Sequence, residues 1–142
     1  MLLDSDRYEA VINYGKDAIN KLNENELEEG FTAAEKGWEA FPESGAKWNQ
    51  GYNYAKMFYG RALQYHDMAI AKLWLDRMTE NNDTLHIFDF EIDHMKAKNE
   101  FEAGNHDIAF QIWDNLVKQK GVKYRYFEYD DPKYLEFYKS KK

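Results

Sequence analysis

Apolar residues recur every three or four positions along almost the whole 142-residue chain, and only two prolines interrupt the pattern. This spacing places apolar side chains on one face of an α-helix, whereas the alternation typical of β-strands is nearly absent. Leu27, Phe31, Ala34, Trp38 and Phe41, for example, lie 4, 3, 4 and 3 residues apart. The length suits one domain, so the sequence predicts a single all-α domain over residues 1–142.

Breaks in the pattern divide the chain into helical hairpins. PESG at residues 42–45 is a predicted turn, TENNDT at 79–84 is a predicted polar loop, and Gly104-Asn105 suits a helix end followed by an N-cap. The sequence therefore predicts three antiparallel hairpins, over about residues 5–41, 46–78 and 85–119, stacked so that neighbours cover each other's apolar faces. All four tryptophans are expected in the core: Trp38, Trp48, Trp74 and Trp113.

The third predicted hairpin carries the most specific motif, AGNHDIAFQIWDNLV at residues 103–117. Gly104 lies in the turn, Ala109 at the position where paired helices approach closely, and Trp113 and Leu116 at large apolar positions. The stretch resembles the second half of a tetratricopeptide (TPR) repeat, and its His-Asp-x-Ala core also occurs forty residues earlier, at 66–69. The resemblance implies a divergent TPR-like α-solenoid that binds other proteins.

The C-terminal sequence carries a second resemblance. FEYDDPKYLEFYK, residues 127–139, is similar to the ending of small bacterial TPR-like proteins, some of which are immunity proteins for polymorphic toxins. That resemblance implies a non-enzymatic protein that binds and masks one cognate partner. Asp131 and Pro132 suit an N-cap and a first helical position, and Tyr134, Phe137 and Tyr138 would share one face. We therefore expect a capping helix over about residues 131–139 that covers the third hairpin.

Charge is distributed unevenly along the chain. Residues 1–117 contain 11 Lys/Arg against 22 Asp/Glu, a net charge of −11, and residues 118–142 contain 8 against 4, a net charge of +4. An acidic body attracts basic proteins and repels nucleic acid and anionic membranes, although acidic surfaces often serve solubility alone. We expect a basic protein partner, no nucleic acid and no membrane. Nucleic-acid binding by the basic, aromatic tail remains an alternative.

Sequence motifs that carry chemistry are sparse. The chain has no cysteine, its three serines (Ser5, Ser44 and Ser140) lie at turns or termini, and no glycine-rich phosphate loop is present. The lack of cysteine and of an apolar leader favours a cytoplasmic protein. Glu91 and His94 form an E-x-x-H motif once, whereas di-iron bundles use it twice. The sequence therefore predicts no catalytic residue, metal or cofactor, with a divergent enzyme as a remote alternative.

The fifth predicted helix, about residues 85–103, has two apolar faces. Leu85, Phe88, Ile92 and Met95 form one face, and Phe90, Ala97 and Phe101 form the opposite one, which predicts a helix sandwiched between neighbours. Because the first helix of each TPR pair lines the concave groove, the resemblance implies that five side chains point into it. These residues are Glu91, His94, Lys98, Phe101 and Glu102.

Two tyrosines complete the candidate partner-binding set. Tyr54 and Tyr65 fall off the main apolar faces of their helices, and we expect them to be exposed. The alternative is that the five α5 residues occupy solvated helix sides, and tyrosines at helical spacing often pack in a core. The leading prediction is a non-enzymatic module, plausibly an immunity protein that neutralises a bacterial toxin. A general TPR-like adaptor or a chaperone-like scaffold for peptides is the alternative.

Overall fold

The computed structural model describes residues 1–142 and is all-helical, which confirms the predicted fold class. The seven α-helices are α1 (Ser5–Asn23), α2 (Leu27–Glu39), α3 (Asn49–Gln64), α4 (Met68–Leu85), α5 (Asp89–Glu102), α6 (His106–Val117) and α7 (Pro132–Ser140). Two short 3-10 helices lie at Gly45–Lys47 and Arg125–Phe127. None of the seven helices combines the length and apolarity needed to cross a bilayer.

Consecutive helices pack in pairs, α1 with α2, α3 with α4, and α5 with α6. Buried apolar residues form two clusters, one centred on α1–α4 and one built from α5, α6 and the residues that follow α6. Helix α5 belongs to both, since Ile92 and Met95 lie in the first cluster and Ala97 in the second, with Phe101 packed against it. The predicted two-faced helix is therefore confirmed for Asp89–Glu102, except that Phe90 is exposed. Its predicted start at residue 85 is wrong, because Leu85 ends α4 and Phe88 is the N-cap of α5.

Several helix starts follow the local chemistry of the sequence. The Asp4 carboxylate accepts a hydrogen bond from the Arg7 amide at 2.9 Å, and the Asp131 carboxylate accepts one from the Lys133 amide at 3.0 Å. Pro132 occupies the first turn of α7, where a missing N–H has no cost. The predicted short helix near residues 131–139 is thus confirmed as α7, with Tyr134 and Tyr138 buried.

The predicted polar loop at residues 79–84 is wrong, because these residues form the last turns of α4. Asn81 is buried and donates through Nδ2 to the carbonyl oxygens of Gly45 at 3.1 Å and Trp48 at 2.9 Å. The Asn82 side chain donates to Asp89 and accepts from the amide of Phe88. Polar side chains that would favour a loop in isolation are therefore satisfied by neighbouring segments, and the second pair ends at Leu85 instead of residue 78.

The predicted exposure of Tyr54 is also wrong, since its exposed fraction is 5%. Its hydroxyl donates to the Ala34 carbonyl oxygen at 2.7 Å, across the junction between α3 and α2. Two glycines make room for the ring. A Cβ on Gly37 would lie 2.0 Å from Tyr54 Oη, and one on Gly15 would lie 3.3 Å from the ring. Three of the four tryptophans are buried as predicted, and Trp38 is half-buried beside Phe41, Tyr54 and Trp74.

Candidate functional site

The five candidate groove residues on α5 are buried or half-buried, although Glu91, His94 and Lys98 also border a depression. All except Glu91 contact residues 122–138, which we call the C-terminal segment and which contribute Val122, Phe127, Tyr134 and Tyr138 to the second buried cluster. The side chain of His94 is only 1% exposed, and those of Lys98 and Glu102 are each 13% exposed. Most of the surface of these side chains is therefore covered by the chain itself, and contact of these residues with a partner stays a prediction.

His94 joins three elements through both of its ring nitrogens. Trp113 Nε1 on α6 donates to His94 Nδ1 at 3.0 Å, and His94 Nε2 lies 2.9 Å from Asp130 Oδ2 on the C-terminal segment. Because indole is only a donor, Nδ1 accepts and the proton of the neutral ring is on Nε2, which donates to Asp130. Lys98 Nζ lies 2.9 Å from the same carboxylate oxygen. This arrangement fixes the C-terminal segment to α5 and α6.

The pKa values of the two partners follow from this environment. Burial lowers the pKa of His94 below its usual 6.5, against the opposing effect of Asp130. Burial alone would raise the pKa of Asp130, but the hydrogen bond from His94 and the charge of Lys98 hold it well below its usual range. His94 is therefore neutral and Asp130 ionised near neutral pH.

We expect the free energy of unfolding to decrease as the pH falls below about 6.5, because unfolded His94 then binds a proton that the folded protein excludes. Asp130 adds a further loss below about pH 3.8, since its folded-state pKa is also depressed. Urea unfolding at about pH 7.5 and about pH 5 measures the first effect. The control is His94→Gln, whose amide can accept from Trp113 and donate to Asp130 without titrating. An equal pH dependence in this variant would contradict the assignment.

Glu102 and Phe101 form a second attachment for the C-terminal segment. Glu102 Oε1 accepts from the Tyr134 hydroxyl at 2.8 Å and lies 2.7 Å from Lys133 Nζ. The Phe101 ring packs edge-on against Tyr134, with 5.5 Å between ring centroids, and against Phe137. The predicted lid is thus held by both polar and aromatic contacts along the length of α5.

The remaining candidates, Glu91 and Tyr65, contact neighbouring helices. Glu91 Oε1 accepts from the Tyr52 hydroxyl at 2.7 Å and lies 3.0 Å from Lys56 Nζ, so it turns toward α3 while His94 turns toward the C-terminal segment. No group of three or more His, Cys, Asp or Glu side chains could hold a metal ion.

Tyr65 was expected to be exposed, but it is half-buried. Its hydroxyl donates a hydrogen bond to the Leu22 carbonyl oxygen at 2.9 Å.

One open surface lies where the α4–α5 turn meets the C-terminal segment. A depression of about 530 Å³ there includes Ile87, Phe90, Arg125 and Tyr126, and we call it the aromatic hollow. An adjoining depression shares Arg125 and Tyr126 and adds Tyr129, whose side chain is 98% exposed. Of the residues around these two depressions, the sequence predicted only Glu91, His94 and Lys98 on α5, because the others come from segments that only the fold brings together.

The second open surface follows helix α2. It has one depression against α1, which includes Tyr14 and Asp17, and one against α4, which includes Ile70 and Leu73. Glu28 and Thr32 border both. The turn between α1 and α2 adds exposed carboxylates that form no ion pair, which we call the acidic turn: Glu24, Glu26, Glu28 and Glu29. This surface thus combines a mainly polar depression against α1, which includes Lys21 and Lys36, with an apolar one against α4 and with the unpaired carboxylates of the acidic turn.

Comparisons with known proteins leave the family open. The chain matches no protein-family model, no curated protein and no solved structure. The similarity of residues 103–117 and 127–139 to TPR-like proteins therefore stays a prediction from their motifs. What this molecule does has to be argued from its own surfaces.

Proposed function

We propose that this chain is a non-enzymatic protein-binding module, built as a TPR-like stack of three antiparallel helix pairs capped by α7. The pairwise packing of α1–α2, α3–α4 and α5–α6 supports this arrangement. Contacts between successive pairs, such as Tyr54 with Ala34 and Tyr59 with Met95, support it further. Terminal units of such arrays need a cover, and the C-terminal segment supplies one on α5 and α6.

The partner we propose is a basic protein, namely a toxin domain that this chain neutralises as an immunity protein. The observation that carries this proposal is the acidic turn, whose four carboxylates have no ion-pair partner and lie beside the depressions of the α2 surface. Unpaired charge of one sign speeds association with an oppositely charged protein, and apolar area beside it slows dissociation. Rapid capture and slow release are what neutralisation of a toxin requires.

Affinity capture from the source organism, followed by mass spectrometry, tests this proposal. We expect one stoichiometric basic protein, whose association rate constant falls at least about tenfold between roughly 50 mM and 300 mM salt. Recovery of no protein, or of dozens at low occupancy, would contradict an immunity function. An association rate independent of salt would contradict the electrostatic part of the proposal even if one partner is recovered.

The alternative of a general adaptor or chaperone-like scaffold is favoured by the aromatic hollow. Ile87, Phe90 and Tyr129 are exposed there beside Arg125, and such rings can accept varied peptides. This function predicts micromolar binding of many peptides, and a substitution of Tyr129 should weaken the binding of all of them.

The C-terminal segment offers little surface to nucleic acid, because Phe127, Tyr134 and Tyr138 are buried and cannot stack on bases. A mobility-shift assay with single-stranded DNA should therefore show no complex.

A further inference from the structure

An apolar depression between α2 and α4 is built from the outer faces of two helices that no other element covers. We call it the α2–α4 hollow. Its buried part is formed by Phe31 and Trp74, and its sides by Ile70 and Leu73. Leu73 is 41% exposed although it lies in the middle of its helix. The accessible surface of this hollow is thus mainly apolar.

One wall of the hollow is held rigidly by an ion pair. Arg77 on α4 donates through Nη2 to Glu35 Oε2 on α2 at 2.8 Å, and its Nη1 lies 2.7 Å from Glu35 Oε1 as an ion pair without hydrogen-bond geometry. The guanidinium lies 4.4 Å from the centre of the Trp74 ring and 5.3 Å from that of Trp38. Paired guanidinium–carboxylate contacts stacked on indole rings fix the spacing between the helices. The hollow therefore exists before any partner binds.

The opposite end of the hollow carries negative charge without compensation. Glu28 lies in the first turn of α2, is exposed and forms no ion pair, and the rest of the acidic turn is adjacent in sequence. The nearest lysine on α4, Lys72, is already paired with Asp76. Lys36 on α2 is also unpaired, but it lines the depression against α1, and the residues that line the hollow include no lysine or arginine. An incoming group is therefore favoured if it is positively charged.

We infer that the α2–α4 hollow is the docking site for an amphipathic, cationic segment of the partner. One large apolar side chain of that segment fills the hollow against Phe31 and Leu73, and a lysine or arginine about one helical turn away pairs with Glu28. The volume of about 290 Å³ lies at the lower limit of small-molecule pockets, and so it suits a side chain better than a cofactor. This inference rests on the proposed function and adds to it the surface and the chemistry of the partner.

A designed peptide can serve as the probe, independently of the natural partner. It is a fluorescently labelled helical peptide of about 14 residues, with leucines at i, i+3, i+4 and i+7 and lysines beside them. A second peptide has glutamate in place of each lysine, and a third has alanine in place of each leucine. We expect fluorescence anisotropy to show binding of the lysine–leucine peptide, with at least about tenfold weaker binding of the other two.

Two pairs of variants locate the peptide on the protein. Leu73→Glu should weaken binding at least about tenfold, whereas Ile108→Glu, at a similarly exposed apolar position on α6, should leave it unchanged. Glu28→Lys should weaken binding several-fold, whereas Asp107→Lys, in the first turn of α6, should not, although it changes the net charge equally. Circular dichroism verifies that each variant is folded, and Leu73→Ala provides a milder second test of the same contact.

Several results would overturn this assignment. Equal losses in the matched variants, or equal binding of the lysine and glutamate peptides, would mean that the hollow does not select a cationic segment. Self-association that Leu73→Glu abolishes would make a second copy of the chain the occupant. If the partner recovered by affinity capture binds Leu73→Glu normally, the hollow is not the docking site, while the proposed binding function stands. Loss of that complex in Leu73→Glu but not in Ile108→Glu would support both.

Discussion

Replacing Gly51 with alanine is expected to lower the free energy of unfolding by about 3 kcal/mol, because the added methyl group would overpack a rigid site. A Cβ at this position would lie 1.9 Å from the carbonyl oxygen of Gly45, which is a main-chain atom, and 3.1 Å from Asn81 Nδ2. That carbonyl accepts a hydrogen bond from Asn81, so moving it would also disturb a buried polar contact. The gain in helix propensity, about 1 kcal/mol, offsets only part of this cost.

Gly60 provides the matched control in the same helix. It lies within α3, is exposed, and has no atom within 4 Å of the position that a Cβ would take. Gly60→Ala should therefore stabilise the protein by about 0.5–1 kcal/mol through helix propensity alone. Urea unfolding of both variants measures the difference. A Gly51→Ala protein as stable as Gly60→Ala would show that the junction of α3, α4 and the 3-10 helix at 45–47 can move freely.

Trp113→Ala is expected to cost about 3–5 kcal/mol, the usual range for removal of a fully buried tryptophan. The ring lies between His94, Phe101, Phe127 and Tyr134, at the centre of the second cluster. Its removal leaves a large cavity and deprives His94 Nδ1 of its donor. Because this ring supports the C-terminal segment, we also expect the substitution to accelerate amide exchange more in residues 122–138 than in α1.

The variant Trp113→Phe separates packing from the hydrogen bond. Phenylalanine retains most of the buried area but leaves His94 Nδ1 buried without a donor, which should cost about 1–3 kcal/mol. This loss should shrink when His94 is already leucine, which cannot accept the hydrogen bond, and a double-mutant cycle measures the difference. Additive losses would contradict the coupling of Trp113 to His94. Unchanged amide exchange in the C-terminal segment of Trp113→Ala would contradict its supporting role.

The sequence predicted much of the helical architecture. Periodicity identified the six longer helices, and capping chemistry located the start of α7. The two apolar faces of α5 could be predicted because the position of a residue around a helix follows directly from its place in the sequence. The C-terminal lid was predictable for the same reason, since Tyr134, Phe137 and Tyr138 form a face that needs a surface to cover.

The candidate site was harder to predict. Glu91, His94, Lys98 and Glu102 were placed on polar sides of α5, but their partners come from α3, 39 positions away at Tyr52, and from the C-terminal segment, 36 positions away at Asp130. A polar side chain facing solvent and one facing a complementary group look identical in the sequence. The lid was expected to cover the hydrophobic side of the third pair, and it also covers these polar residues through Asp130 and Lys133.

The sequence by itself determined the all-α class, most helices, the acidic body and the capping helix, because helical phase, capping and charge are local properties. Only the tertiary structure decided that Asn81 extends a helix, that Tyr54 is buried against two glycines, and that an apolar hollow opens between α2 and α4. Each of these depends on which distant group meets a side chain. Burial and hydrogen bonding across helices are worth more than local preference, so the fold overrides the local signal wherever the two conflict.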